Sequence, residues 1–127
     1  MINAIPNWLQ NAINFLNQEF PNDKDVNLCI LYGHDYMIAS DGKHHSDGKY
    51  KPLANTIYLA DYKNLSEHYG GVNTSEDIAI LNLFHEYRHH QQYIYNDRFG
   101  DEEDAEEFAM DMWRKYLVYE EALKDSF

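Results

Sequence analysis

The segment His85-Glu86-Tyr87-Arg88-His89 carries the residue types best suited to chemistry in this sequence. In an α-helix, residues i and i+4 lie one turn apart on the same face, so the two histidines can bind one metal ion. Zinc accepts imidazole nitrogen at about 2.0 Å and keeps one position open for water in catalytic sites. Glu86 follows the first histidine, where its carboxylate can reach that water as a general base. The pattern predicts a hydrolytic zinc site on a helix.

Such a site needs a third protein ligand, and the acidic run over residues 101–107 is the nearest source. Glu102 lies three and seven residues before two small alanines and continues the helical stripe that faces the preceding helix. Asp104 and Glu106 lie at the edges of that stripe, and a tight helical hairpin would favour Glu106. We therefore prefer Glu102 and keep Asp104 and Glu106 as alternatives. The remaining glutamates are expected to be solvated and to complement the helix dipole: Glu103 and Glu107.

Other reactive side chains have structural interpretations. Cys29 lies in an apolar run without a recognisable nucleophile arrangement, and the His44-His45 pair is expected in a solvated turn. His90 projects about 100° from His89 and should face the surface or pack between helices. His34 and His68 have no partner visible in the sequence. The many tyrosines could supply an oxyanion donor, but most must pack and the sequence selects none of them; they include Tyr93, Tyr95, Tyr116 and Tyr119.

Hydrophobic periodicity predicts the elements that position these residues. An amphipathic helix follows Pro6 and ends near Pro21, and a last helix runs from about Ala105 to Lys124. Between them, capping residues at 73–77 begin the HExxH helix, which is apolar on more than one face, reaches about Tyr95 and should be central. Three β-type runs separated by turn-rich clusters predict a small, mainly antiparallel sheet: 27–32, 35–39 and 55–60. The expected fold class is α+β.

Length and charge limit the function further. The chain of 127 residues, 44% of them hydrophobic, predicts a single packed domain over residues 1–127. Its formal charge of -12 disfavours direct binding to nucleic acid or to an anionic membrane surface. One cysteine excludes an internal disulfide, and no apolar run is long enough to span a membrane, so we expect a cytoplasmic protein.

The sequence from about Asn55 to Trp113 resembles the gluzincin-type zinc peptidases, more narrowly the small ImmA/IrrE-like metallopeptidases and HExxH proteins of phages and mobile elements. In that group an extended segment precedes the HExxH helix, as Asn55 to Ala60 does here, and a later helix carries an E-x-[ED]-A-x-x-F-A pattern. Residues 102–109 match this pattern. Arg88 stands where the group often has glycine.

The resemblance implies a zincin-like fold and a site with His85, His89 and Glu102 as zinc ligands and Glu86 as the general base. It also implies that Glu106 is not itself a zinc ligand but holds the ring of a histidine that is one. The strand from Ile57 to Ala60 would be a sheet edge along which an extended substrate lies.

Two classes of function follow. The first is a cytoplasmic zinc-dependent peptidase of phage or mobile-element type, whose substrate is a protein or peptide; the resemblance suggests a regulator such as a repressor. The second is a small acidic inhibitor that binds a nucleic-acid enzyme by imitating phosphate charge, with a structural or vestigial metal site. A zincin-like chain that has lost catalysis is a variant of the first class.

Overall fold

The computed structural model describes residues 5–33, 37–38, 45–64 and 74–125. Within these ranges the chain forms helices and a small sheet, which confirms the predicted α+β class. The helices are α1 (Asn7–Glu19), α2 (Ser75–Ile94) and α3 (Glu102–Asp125), with a short 3-10 helix at Tyr62–Asn64. The strands are β1 (Asn27–Leu31), β2 (Met37–Ile38), β3 (His45–Ser46), β4 (Gly48–Lys51) and β5 (Thr56–Ala60). Several residues considered above lie outside the described ranges: His34, His44 and His68.

Helix α1 begins directly after Pro6 and ends at Glu19, as the periodicity predicted. Its inward face is fully or almost fully buried because apolar residues recur at helical spacing. Phe15 joins this helix to the other two, since its ring lies 5.9 Å from that of Phe84 in α2 and 5.4 Å from that of Tyr116 in α3. Burying a side chain of this size contributes about 1.5–3 kcal/mol to folding.

The three-stranded sheet is mixed, whereas we expected a mainly antiparallel one. Its strand order is β1-β5-β4, with β1 parallel and β4 antiparallel to β5, and β2 and β3 form a separate antiparallel pair. The parallel pairing joins strands that are distant in the sequence, which local patterns do not specify. Strand β4 also went unpredicted, because it begins within the turn-rich cluster Ser46-Asp47-Gly48.

Strand β5 is the central strand, so the expectation that Ile57 to Ala60 form a sheet edge is wrong. It pairs with β1 on one side and with β4 on the other, and Ile57 and Leu59 are almost fully buried. A strand with two partners has no backbone groups left for a substrate. Among the described strands of this sheet, β4 and β1 are the ones with a free edge.

Helix α2 is central, as predicted. Thr74 caps its first turn by accepting a hydrogen bond from the Asp77 N–H at 3.1 Å. The helix packs against the sheet, α1 and α3, and residues on several of its faces are buried. None of the helices in the described part of the chain is both long and apolar enough to cross a membrane.

Helix α3 begins at Glu102 and lies against α2 through the predicted inward stripe. Ala105 is fully buried, and Ala109 is 4% exposed. Because these side chains are small, the first turns of α3 approach the HExxH segment of α2 closely. The helix contact therefore brings the acidic run to the histidines.

Candidate metal centre

His85 and His89 lie one turn apart on α2, and their ring centroids are 5.0 Å apart. Glu102, the first residue of α3, reaches both rings: its Oε2 is 2.9 Å from His85 Nε2 and its Oε1 is 2.9 Å from His89 Nε2. One ligand atom from each of the three residues lies within 4.8 Å of the others. The two helices thus bring together the three residues that the sequence suggested.

Gln92 fixes the orientation of the His89 ring. Its Oε1 accepts a hydrogen bond from the Gly100 N–H at 3.1 Å, and its Nε2 donates to the Asp101 carbonyl at 3.0 Å and to Asp104 at 2.9 Å. These partners leave only one orientation for the amide, with the oxygen 2.8 Å from His89 Nδ1. His89 Nδ1 must therefore carry hydrogen, and in the neutral ring the lone pair is on Nε2, toward Glu102.

Glu106 and Glu102 contact the two nitrogens of the other ring. Glu106 Oε1 lies 2.9 Å from His85 Nδ1, and Glu102 Oε2 lies 2.9 Å from His85 Nε2 in hydrogen-bond geometry. A neutral imidazole has one N–H, so it can donate to only one of these two carboxylates. With a metal ion on Nε2, the hydrogen would be on Nδ1 and Glu106 would accept it. Outer acceptors of this kind are typical of metal-bound histidines, because they fix the tautomer and direct the other nitrogen at the ion.

The donor set fits a metal ion. Both Nε2 atoms lie 2.9 Å from oxygens of one carboxylate, a separation that requires a proton or a cation between the nitrogen and the oxygen. Tetrahedral zinc with ligands at about 2.0–2.1 Å holds its ligand atoms roughly 3.3 Å apart. The separations here, from 2.9 Å to at most 4.8 Å, bracket that value. The group could therefore hold a metal ion with three protein ligands and an open fourth position.

Glu86 lies beside this group, with its Oε2 4.0 Å from His85 Nε2 and its residue only 8% exposed. Burial raises the pKa of Glu86, while His85, His89 and a hydrogen bond from the Tyr50 backbone N–H act in the opposite direction. A Cβ at Gly48 would lie 3.1 Å from Glu86 Cγ and 3.3 Å from its Oε2, so a larger residue there would displace the Glu86 side chain by a few tenths of an ångström. The edge strand thus covers and orients the carboxylate.

The other two candidates for a third ligand have different partners. Asp104 forms an ion pair with Arg88 at 2.8 Å, and a second one with Arg98 at 3.6 Å. The hydrogen bond from Arg88 is the main reason that the pKa of Asp104 is lowered to about 2. Glu106 contacts the outer nitrogen of His85, as the resemblance implied. Of the three acids, Glu102 is the one that lies between the two rings.

His90 departs from its predicted position, because it is fully buried and faces the sheet. Its Nε2 donates to the Lys24 carbonyl at 2.7 Å, so its Nδ1 accepts from the Tyr50 hydroxyl at 3.1 Å. Burial lowers the pKa of His90. His90 thereby fixes Tyr50, whose backbone N–H in turn bonds Glu86.

Sequence reasoning missed three residues that shape the site: Gly48, Tyr50 and Gln92. Gln92 lies three residues after His89 on the same helix, so helical spacing could have identified it. The two residues of β4 carried no local signal, because their role depends on the pairing of β4 with β5 and its packing against α2.

No protein-family model, curated protein or solved structure matches this chain. The assignment of a function therefore rests on the residues and geometry described above.

Proposed function

We propose that this protein is a zinc-dependent metallopeptidase that hydrolyses a peptide bond in a protein substrate. His85, His89 and Glu102 would hold the zinc, and Glu86 would act as the general base. The observation that carries the proposal is that both histidines turn their Nε2 atoms to one carboxylate at 2.9 Å, while Gln92 and Glu106 lie within 2.9 Å of their Nδ1 atoms.

Two imidazoles and one carboxylate suit zinc better than calcium or magnesium, which prefer oxygen ligands alone. When bound, zinc would supply Lewis acidity that lowers the pKa of water and polarises a substrate carbonyl. The same donor types also serve iron in oxygenases, but a buried carboxylate beside the ligands favours hydrolysis.

Glu86 would accept a proton from the attacking water at its carboxylate and then donate that proton to the leaving amine. Burial raises the pKa of this carboxyl, which makes the carboxylate a stronger base toward water than an exposed one. The N–H of Tyr50 holds the carboxylate in place meanwhile. A cytoplasmic location, expected from the single cysteine, and a regulator as substrate, suggested by the resemblance, belong to this proposal.

The experiment compares the wild-type chain with Glu86→Gln and His89→Ala, by metal analysis and by cleavage of an unfolded protein. We expect about one zinc per wild-type chain and hydrolysis by the wild type alone. Glu86→Gln should keep its zinc and lose at least about 100-fold in rate, since it cannot take the proton. His89→Ala should lose the zinc.

Hydrolysis by Glu86→Gln at the wild-type rate would contradict the base assignment. A wild-type chain that binds no metal and cleaves nothing would leave the acidic binding-protein hypothesis in its place, for which the charge of -12 is the supporting observation.

A further inference from the structure

Three aromatic rings form a surface next to the candidate metal centre, here called the aromatic shelf: Tyr50, Tyr93 and Phe99. The rings of Tyr93 and Phe99 are 5.5 Å apart and nearly perpendicular, and each lies 6.3 Å from the ring of Tyr50. Tyr50 is buried, whereas Tyr93 is 43% and Phe99 52% exposed. Among the described residues, Phe99 is the only phenylalanine that is exposed. Contiguous exposed aromatic rings are typical of a binding surface.

The turn that carries Phe99 is fixed by the candidate site itself. Arg98 has a φ of +56°, a left-handed conformation that costs a residue with a side chain about 1–2 kcal/mol, and Gly100 has a φ of +90°. Gln92 bonds the Gly100 N–H with the same oxygen that orients His89. Phe99 is thus held in place by the side chain that also orients a candidate ligand.

The aromatic shelf lies within a short peptide's reach of the reacting groups. Tyr93 follows His89 by one helical turn, about 6 Å along the helix axis. The Tyr50 N–H points at Glu86, so the free edge of β4 faces the same carboxylate. From Glu86 to Tyr93 is seven residues, about 10 Å along the helix axis. An extended peptide advances about 3.4 Å per residue, and a large side chain extends several ångströms further. A large side chain one or two residues from the bond at Glu86 therefore reaches the shelf.

We propose that the aromatic shelf binds a large apolar side chain, aromatic or aliphatic, of an extended peptide substrate, one or two residues from the bond that is cut. The inference rests on the proposed function, because the bound peptide is a substrate only if the protein is a peptidase. An incoming aromatic ring can pack against Tyr93 and Phe99 at the usual centroid separations of about 4.5–7 Å. A carboxylate would lose its hydration there and would be repelled by the negative faces of the rings.

The test measures peptide binding without hydrolysis, in the zinc-loaded Glu86→Gln protein. The probes are fluorescein-labelled octapeptides of glycine and serine that differ at one central position, which is Phe, Leu, Ala or Asp. By fluorescence anisotropy we expect the Phe and Leu peptides to bind about tenfold more tightly than the Ala peptide. Adding Phe99→Ala should reduce that preference to about twofold or less.

Val118→Ala in the same background is the matched control, because Val118 is 72% exposed on α3 and its removal should leave the preference unchanged. Equal affinities for all peptides, no binding, or an unchanged preference in Phe99→Ala would overturn the proposal.

A second readout separates this inference from the proposed function. Wild-type digests of an unfolded protein should show large apolar residues enriched within two positions of the cuts. Cleavage without that enrichment would contradict the proposed role of the aromatic shelf and leave the proposed function in place. Phe99-dependent peptide binding by a chain that cleaves nothing would overturn the proposed function and keep the shelf as a peptide-binding surface.

Discussion

Two carboxylates contact roughly opposite faces of helix α2, and their surroundings differ in kind. Asp23 accepts hydrogen bonds from the Tyr87 hydroxyl at 2.7 Å, from the Gln91 amide at 2.8 Å and from the Tyr95 hydroxyl. Burial alone would raise the pKa of Asp23, but these three donors outweigh it and hold the pKa below its ordinary value. The Asp23 cluster is complete as a set of donors and acceptors.

Glu102 lies in a cluster with more acceptors than hydrogens. Its oxygens lie 2.9 Å from the Nε2 atoms of His85 and His89, and Glu106 and Gln92 lie against the Nδ1 atoms of the same rings. Two neutral rings carry one N–H each, so they cannot donate at all four of these contacts. Its side chain is also 71% exposed, although it is the member that joins the two rings. A cluster with more acceptors than hydrogens can take up a proton or a cation, whereas the Asp23 cluster already has a donor for each contact.

The largest expected effect comes from replacing each carboxylate by its amide. Glu102→Gln removes a ligand and supplies an N–H that can donate to one Nε2, so zinc affinity should fall at least about 100-fold while the metal-free protein unfolds at the same or a higher temperature. Asp23→Asn should lower the free energy of unfolding by about 1 kcal/mol and leave zinc affinity unchanged. Chelator competition and thermal unfolding measure the two quantities.

If Glu102→Gln destabilised the metal-free protein as much as Asp23→Asn does, the two clusters would be alike and the contrast between them would fail. Glu103→Gln is the control, since Glu103 is the exposed neighbouring acid and should change neither quantity.

Two adjacent glutamines on α2 give a more specific test, in which the expected change in zinc affinity is smaller. Gln92 serves the Glu102 group and Gln91 serves Asp23, and both are buried, at 3% and 5% exposure. Gln92→Leu should weaken zinc binding roughly 10- to 100-fold, because His89 then loses the acceptor that sets its tautomer. Gln91→Leu should lower stability without this loss in affinity. Similar zinc affinities in the two variants would show that the Gln92 amide does not position the ring.

Part of the fold and of the candidate site could be predicted from the sequence. The i, i+4 histidines and the acids on the next helix follow from helical geometry, so the three helices and the candidate ligands were predictable. The burial of His90 and the central place of β5 were not, because each depends on which distant segments pair. Strand β4 was hidden for the same reason, since its lysines and glycine suit a turn equally well.

The smallest effect is expected at Asp104. Like Asp23, this carboxylate has its donors within the protein, here Arg88 and Arg98. Its pKa falls from an ordinary 3.8 to about 2 in the folded protein, chiefly through the hydrogen bond from Arg88. A lowered pKa adds stability that is fully present above the ordinary value and is lost as the pH falls through the folded value. The stability difference between wild type and Asp104→Asn should therefore be constant above about pH 5 and shrink toward pH 2. Urea unfolding across that range measures it, and a difference that grew on acidification would contradict the pairing with Arg88.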